Sequence, residues 1–188
     1  MLGNDRQRLD MAYSLLFTLP GTPVLRYGDE IGMGDDLRLK ERLSVRTPMQ
    51  WTAEPYAGFS TVAPFRPVIE GGEYDYRKIN VEIQRTDPAS LLTLTTKLIR
   101  LRREHPAIGL GKWTLPEHKA AGVLIMQFTD DRETILTGHN FAATEATVNV
   151  KCQGKAIVDL FSGERSPVTN GNAVLKMKGY GYRWFQVQ

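Results

Sequence analysis

A single cysteine, Cys152, in 188 residues leaves no internal disulfide to be made. Reducing cytoplasm is therefore the expected compartment. Excess charge is equally scarce. The formal balance of +3 is too weak to argue for nucleic acid, so no nucleic-acid partner is expected. The densest basic run, KLIRLRRE at 97–104, follows a helical pattern and reads as a solvated face. Charged residues at 24% sit in the globular range, so neither a disordered chain nor a membrane span is indicated. No membrane partner is expected either. His105, His118 and His139 have neither zinc spacing nor a Ser or Cys beside them in a nucleophile motif. The GYG run at 179–181 lacks the strand–glycine–helix setting of a phosphate loop. No internal repeat is visible, and no cofactor or metal is expected.

What the chain has is apolar content, 41%, enough for one large domain or two small ones. MAYSLLFTLPG (11–21) has the apolar character of a signal-peptide core. Asp5 and Asp10 offset Arg6 and Arg8, however, and no small-x-small cleavage site follows. The stretch reads as a buried helix capped by Asn4 or Asp5, running to about Thr18, with Leu9, Ala12, Leu15, Leu16 and Leu19 covered. Pro20 and Gly21 stop it, and TPVLRYG (22–28) follows as a β-rich run. A second helix is expected from an Asp87–Pro88 start, with Leu91, Leu94, Leu98 and Leu101 on one face and Pro106 at its end. His105 is placed to cap its last carbonyls. From residue 112 the pattern changes to short strands at 122–128, 134–141, 146–150, 156–161, 173–177 and 182–187. Turn-formers at Asp130–Asp131, Gly154, Ser162–Gly163 and Asn170–Gly171 separate them, as in an antiparallel sandwich. Trp113, Phe128, Phe161, Trp184 and Phe185 are expected in its core.

Between Gly32 and Thr86 no convincing helix is predicted. A loop of this length is functional or disordered. Met49, Trp51, Tyr56, Phe59, Phe65, Tyr74 and Tyr76 favour an ordered loop, because side chains of this size need something to pack against. Asp29 and Glu30 are neighbours at the expected strand end, where extended geometry points them to opposite faces. They cannot together form a retaining glycosidase's carboxyl pair, which needs a separation of about 5–5.5 Å across the bond. One is expected to face a pocket and the other to cap a turn. Asp35–Asp36 reads as a solvated turn. The residues alone indicate a polar pocket near 27–51 and no complete catalytic set.

Four stretches in this order resemble the C-terminal third of glycoside hydrolase family 13, the α-amylase superfamily. They are GTPVLRYGDEIGM (21–33), VRTPMQW (45–51), AGFS (57–60) and INVEIQRTDPASLLTLTTKLIRLRREHPAIG (79–109). GYGYRWFQV (179–187) is similar to the closing strand of the family's C-terminal β-domain, so the resemblance spans essentially the whole chain. It implies an α+β chain. Residues 1–108 would be the end of a (β/α)8 barrel, with 22–28 as its last strand and 32–86 as an active-site loop. Residues 109–188 would be a C-terminal β-sandwich. RTPMQW points to the branch of oligo-1,6-glucosidases, α-glucosidases and maltose–trehalose interconverting enzymes. YGDEIGMGDDL with YDYRKINVEIQRTDPASLL is most similar to the last of these.

By the same resemblance Arg46, Tyr27 and Glu30 are the substrate-binding residues, with Met49 and Trp51 anchoring the loop. The family's nucleophile aspartate, acid glutamate and Asn-His-Asp motif have no counterpart here. The only His–Asn pair, His139–Asn140, is in the wrong domain and order. The chain is therefore expected to begin after that motif, Met1 being an internal methionine of a longer protein. That protein would act on maltose, trehalose or other α-glucosides, and this chain would need the missing barrel portion or another chain. Two readings stand beside it: an amylase- or oligo-1,6-glucosidase-type hydrolase, and a non-catalytic carbohydrate-binding or interaction module.

Overall fold

The structure, a computed structural model, describes residues 2, 3 and 5–188. Its contacts divide the chain into two compact units. One is Val24–Lys97; the other joins Leu98–Gln188 to the stretch that ends at Pro23.

The larger unit opens with α1 (Arg6–Thr18). Asp5 is its N-cap, in extended backbone, and its carboxylate accepts from the amides of Gln7 and Arg8 at 2.9 and 3.2 Å. Asn4, the other candidate cap, lies outside the described residues. Asp5→Ala is expected to cost about 1 kcal/mol, seen as a lower urea midpoint at unchanged slope. The leucines of α1 do not form its buried face. Leu9, Ala12, Leu15 and Leu16 are only partly covered and Leu19 is exposed, whereas Met11, Ser14, Phe17 and Thr18 are buried. Ser14 and Thr18 turn inward because a buried histidine supplies a partner for their hydroxyls.

Among the described residues eight antiparallel strands follow: β1 (Lys112–Thr114), β2 (Val123–Thr129), β3 (Thr134–Asn140), β4 (Ala146–Lys151), β5 (Ala156–Asp159), β6 (Arg165–Pro167), β7 (Asn172–Met177) and β8 (Tyr182–Val187). Six form a sheet in the order β1-β2-β3-β8-β5-β6, and β4 pairs β7 in a second. The expected sandwich is present. Its core holds Ile125, Leu136, Val148, Val150, Leu175 and Phe185. β4 and β7 alternate buried and exposed residues, as strands covered on one face do. β3 instead is buried at nearly every position, since α1 packs on one face and β7 on the other. Gly138 belongs to this arrangement. A Cβ there would lie 2.9 Å from Met177 Sδ and 3.1 Å from Ile125 Cδ1. Asn170 and Gly171, both at positive φ, turn the chain into β7.

β1 and β6 are additions to the sequence reading, three residues each and mostly exposed, so neither carries a readable alternation. Trp113 on β1 is 52% exposed, not core, because β1 is an edge strand. Two further corrections concern basic groups. His105 Nδ1 meets Glu133 Oε2 at 2.7 Å and does not cap carbonyls. Arg102 is not on a solvated face: its guanidinium donates to the carbonyls of Phe17 and Gly21, each at 2.6 Å. Burial pushes its pKa down.

The smaller unit contains no strand among its described residues, and 22–28 is the main departure from expectation. An extended run becomes a strand only with a neighbour to complete its ladder, and this segment has none here. Helix α2 (Val81–Thr86) interrupts the segment read as all loop, with Asn80 as its cap through Ile83 N at 2.9 Å. Asp87 is the C-cap of α2 and turns onto Ala89 N. Helix α3 (Leu91–Glu104) starts later than expected, because Ser90 Oγ takes the amide of Thr93 and serves as its cap. Leu91, Leu98 and Leu101 are buried as the spacing predicts, and Leu94 is partly so. A short α4 (Ala107–Leu110) follows Pro106 and packs on β2 and β3. No helix of the described residues is long and apolar enough to cross a membrane.

Candidate functional site

The RTPMQW segment is held by its backbone and by one side chain that sequence reasoning missed. Gln50 is fully buried; its amide nitrogen donates to the carbonyls of Tyr74 (3.3 Å) and Ile79. Its carbonyl accepts from Val81 N at 3.0 Å and that of Trp51 accepts from Glu82 N at 3.0 Å, which ties the segment to α2. Trp51 N and Thr52 N both reach Ala57 O, across a turn in which Tyr56 and Ala57 are left-handed at φ 57° and 59°. Non-glycine residues adopt that conformation at a cost of about 1–2 kcal/mol each, so the turn is imposed by its surroundings.

Apolar packing completes the hold. Met49 sits at 5% exposure with Ile31 and Val81, as expected for an anchor. Trp51 does not share that role, since its ring is 46% exposed. Of the other aromatics only Tyr76 is buried, against Ala57 and Val68; Tyr56, Phe59, Tyr74 and especially Phe65 are exposed. The loop owes its order chiefly to hydrogen bonds. Asp75 accepts from the amides of Gly71 and Arg77, and these bonds hold its carboxyl below the usual carboxylate range. Asp36, expected in a solvated turn, is buried in a two-point pair with Arg38 at 2.8 Å, which lowers its pKa likewise. Gln84 bridges the Ile31 carbonyl and the Leu92 amide.

The three predicted binding residues occupy distinct roles around this segment. Residues 47–50 are buried, and Arg46 immediately before them is exposed. Its backbone is fixed: its amide donates to Leu43 O at 3.1 Å and its carbonyl faces Arg66 Nη1 at 3.5 Å. Its guanidinium makes no ion pair or hydrogen bond among the described residues, so it does not tie the loop down. Tyr27, half exposed, donates its hydroxyl to Thr47 O at 2.8 Å, next to the arginine. Glu30 Oε2 accepts from Gly28 N at 2.8 Å, and Asp29 Oδ2 from Arg26 N at 2.9 Å. Both carboxylates therefore cap the turn that follows Tyr27; the expected division into one capping and one pocket-facing group is not seen. Gly28 permits this turn at φ 92°.

The arrangement amounts to an always-charged planar donor set on a short tether with a rigid base. Tyr27→Phe removes one bond of that base. It is expected to speed amide exchange at Met49 and Trp51 about fivefold, the equivalent of about 1 kcal/mol of local stability. Unchanged exchange there would show that the phenol does not hold the segment.

Residues 1–111 match the family described as alpha amylase, catalytic domain, and residues 114–184 match the maltogenic amylase C-terminal domain. The trehalose synthase/amylase TreS of Mycobacterium tuberculosis strain H37Rv is 37% identical over 197 residues, all of this chain and 33% of that protein. The trehalose synthase of Thermus thermophilus is 36% identical over 195 residues, again all of this chain and 20% of that protein. Among solved structures, the trehalulose synthase MutB from Pseudomonas mesoacidophila MX-45 superposes with a TM-score of 0.74 at 22% identity, over 100% of this chain and 40% of that one. That last likeness is one of fold. The chain spans about a third or less of the length of the curated relatives it matches here.

Proposed function

The chain belongs to the α-amylase family, and on that premise we propose that the whole protein is an α-glucoside-active retaining enzyme that interconverts maltose and trehalose. The observation that carries this reading is Arg46, unpaired and exposed on a buried, multiply anchored segment. An ion with no partner among the described residues, on a base fixed by Tyr27 and Gln50, is placed to serve something that arrives. The names of the relatives that match along the whole chain, trehalose synthases, support this substrate class.

In this proposal residues 1–108 contribute the end of the catalytic barrel and residues 109–188 the β-sandwich. A carboxylate nucleophile and a carboxylic acid from the rest of the protein perform double displacement through a covalent glucosyl intermediate. The first step expels glucose from maltose, and the second returns it to the glucosyl group in the trehalose linkage. Arg46 supplies fixed donors to hydroxyls of the reacting sugar and a positive charge beside the carboxylates. Tyr27 and Glu30 stay in the site: the phenol oxygen can still accept, and Glu30 has a second oxygen beyond the one that caps Gly28. A reducing cytoplasm suits the one cysteine, which is free and buried.

The test compares the 188-residue chain with the full-length protein on maltose, following trehalose and free glucose. The full-length protein is expected to form trehalose, while the chain alone forms neither product, because Arg46 cannot act as a nucleophile. Glucose as the sole product would replace interconversion by hydrolysis, the reading that the amylase half of the TreS name favours. Turnover by the purified chain that survives Arg46→Ala would overturn the division of labour.

A further inference from the structure

A cleft on the β-sandwich is lined by charged groups that nothing in the sandwich answers. It has a volume of about 700 Å³ and lies between the segment connecting β1 to β2 and the C-terminal end of β4. A second hollow of about 490 Å³ shares Glu117, His118, Lys119 and Lys151 with it and continues along β4 to Asn149. The two form one groove on either side of residues 117–119. Both volumes suit a small molecule.

The chemistry of the walls narrows the ligand. Lys119 and Lys151 form no ion pair or hydrogen bond among the described residues, and both line both hollows. His118 Nδ1 is buried without a partner. An unpaired buried N–H costs more than an unpaired lone pair, which assigns the ring proton to Nε2 and leaves that N–H as a donor for the groove. Gln127 and Thr114 add an amide and a hydroxyl from the floor. The one acidic group is Glu117, also unpaired, and it is suited to accept from hydroxyls. Pro116 gives apolar surface beside these groups. Two ammonium groups and an imidazole N–H call for an anion, and a carboxylate and an amide within the same cleft call for several hydroxyls. Trp113 takes no part: it pairs with Phe128, on the face opposite to that of Thr114 and Gln127.

We propose that this groove binds a small phosphorylated sugar, with the phosphate between Lys119 and Lys151 and the hydroxyls on Glu117 and Gln127. The site belongs to the sandwich alone and does not depend on the catalytic reading above. It gives the protein a second place to sense carbohydrate, chemically distinct from any subsite for neutral disaccharides.

Glucose 6-phosphate is the probe, titrated into the 188-residue chain while the imidazole resonances of its three histidines are followed at constant ionic strength. The His118 resonance is expected to move saturably, and those of His105 and His139 to stay in place. Glucose and inorganic phosphate, titrated separately, should each bind at least about tenfold more weakly than the joined molecule. Lys119→Glu with Lys151→Glu should weaken the probe at least about tenfold, and unchanged His139 resonances will show that the fold survives. A His118 resonance that stays unmoved overturns the proposal. So does movement that persists in the double variant, and so does inorganic phosphate binding as tightly as the probe, which would make the groove an anion patch without sugar recognition.

Discussion

Arg46→Ala in the full-length enzyme is expected to lower kcat/KM on maltose by roughly 30- to 1000-fold, about 2–4 kcal/mol of transition-state stabilisation. The size follows from what a guanidinium does in a reacting subsite. Its donors are fixed in a plane and stay charged at any working pH, so several bonds and a full charge vanish together. Arg46→Lys should restore only part, since an ammonium cannot reproduce the fork. Stability should hardly change. The side chain is exposed and unpaired, while the segment's order comes from Gln50, Met49 and the Thr47 carbonyl. A structural arginine predicts the reverse, a lowered melting temperature with near-normal kinetics in the surviving folded protein. Both quantities measured on one preparation separate the two, and normal activity with lowered stability would remove Arg46 from the site.

How far such a site is legible in sequence depends on what each residue's signal is made of. The strands of the sandwich could be read because β4 and β7 alternate with period two and turn residues bracket them. The run at 22–28 has a strand's composition, but a strand is a relation to a neighbour, and no composition reports whether the neighbour is present. Helix α2 is six residues long, under two turns, which is too short for a periodicity, and its real mark is the single cap Asn80. Arg46 was legible only through the motif around it. Gln50 was invisible because glutamine is ordinarily a surface residue, and nothing local announces two carbonyls, from Tyr74 and Ile79, waiting for its amide. The inward turn of Ser14 and Thr18 has the same cause. Buried polar groups are placed by partners far along the chain, and a local pattern cannot see them.

That buried polar cluster carries the second large expectation, a loss of stability of about 3 kcal/mol between pH 6.5 and pH 4 that vanishes in His139→Gln. His139 on β3 has no exposed surface. Its Nε2 meets Ser14 Oγ at 3.0 Å, and Trp184 Nε1 donates to the same oxygen at 2.9 Å. Nδ1 has no partner. Protonating the ring would bury a charge and leave an N–H without an acceptor, so burial lowers the pKa from 6.5 to about 4. The sign follows directly. Above pH 6.5 neither the folded nor the unfolded chain holds this proton, and the full stability is present. Between 6.5 and 4 the unfolded chain binds the proton and the folded chain does not, so each pH unit costs about 1.4 kcal/mol. Below about pH 4 both forms are protonated and this loss levels off. Asp36 and Asp75 have lowered pKa values, so their contributions are lost only at pH values below the ordinary carboxylate range, which keeps the windows apart. Asp10, raised by burial, acts in the opposite sense, which makes the difference between two proteins the proper readout. Urea unfolding of the wild type and of His139→Gln should be compared at pH 7, 5.5 and 4.5. The variant will be less stable at pH 7, since glutamine cannot reproduce the ring's packing, but the gap should close as the pH falls. A gap that stays constant from pH 7 to 4.5 would mean that the folded protein accepts the proton as readily as the unfolded one, and the buried histidine would then be no more than a packing element.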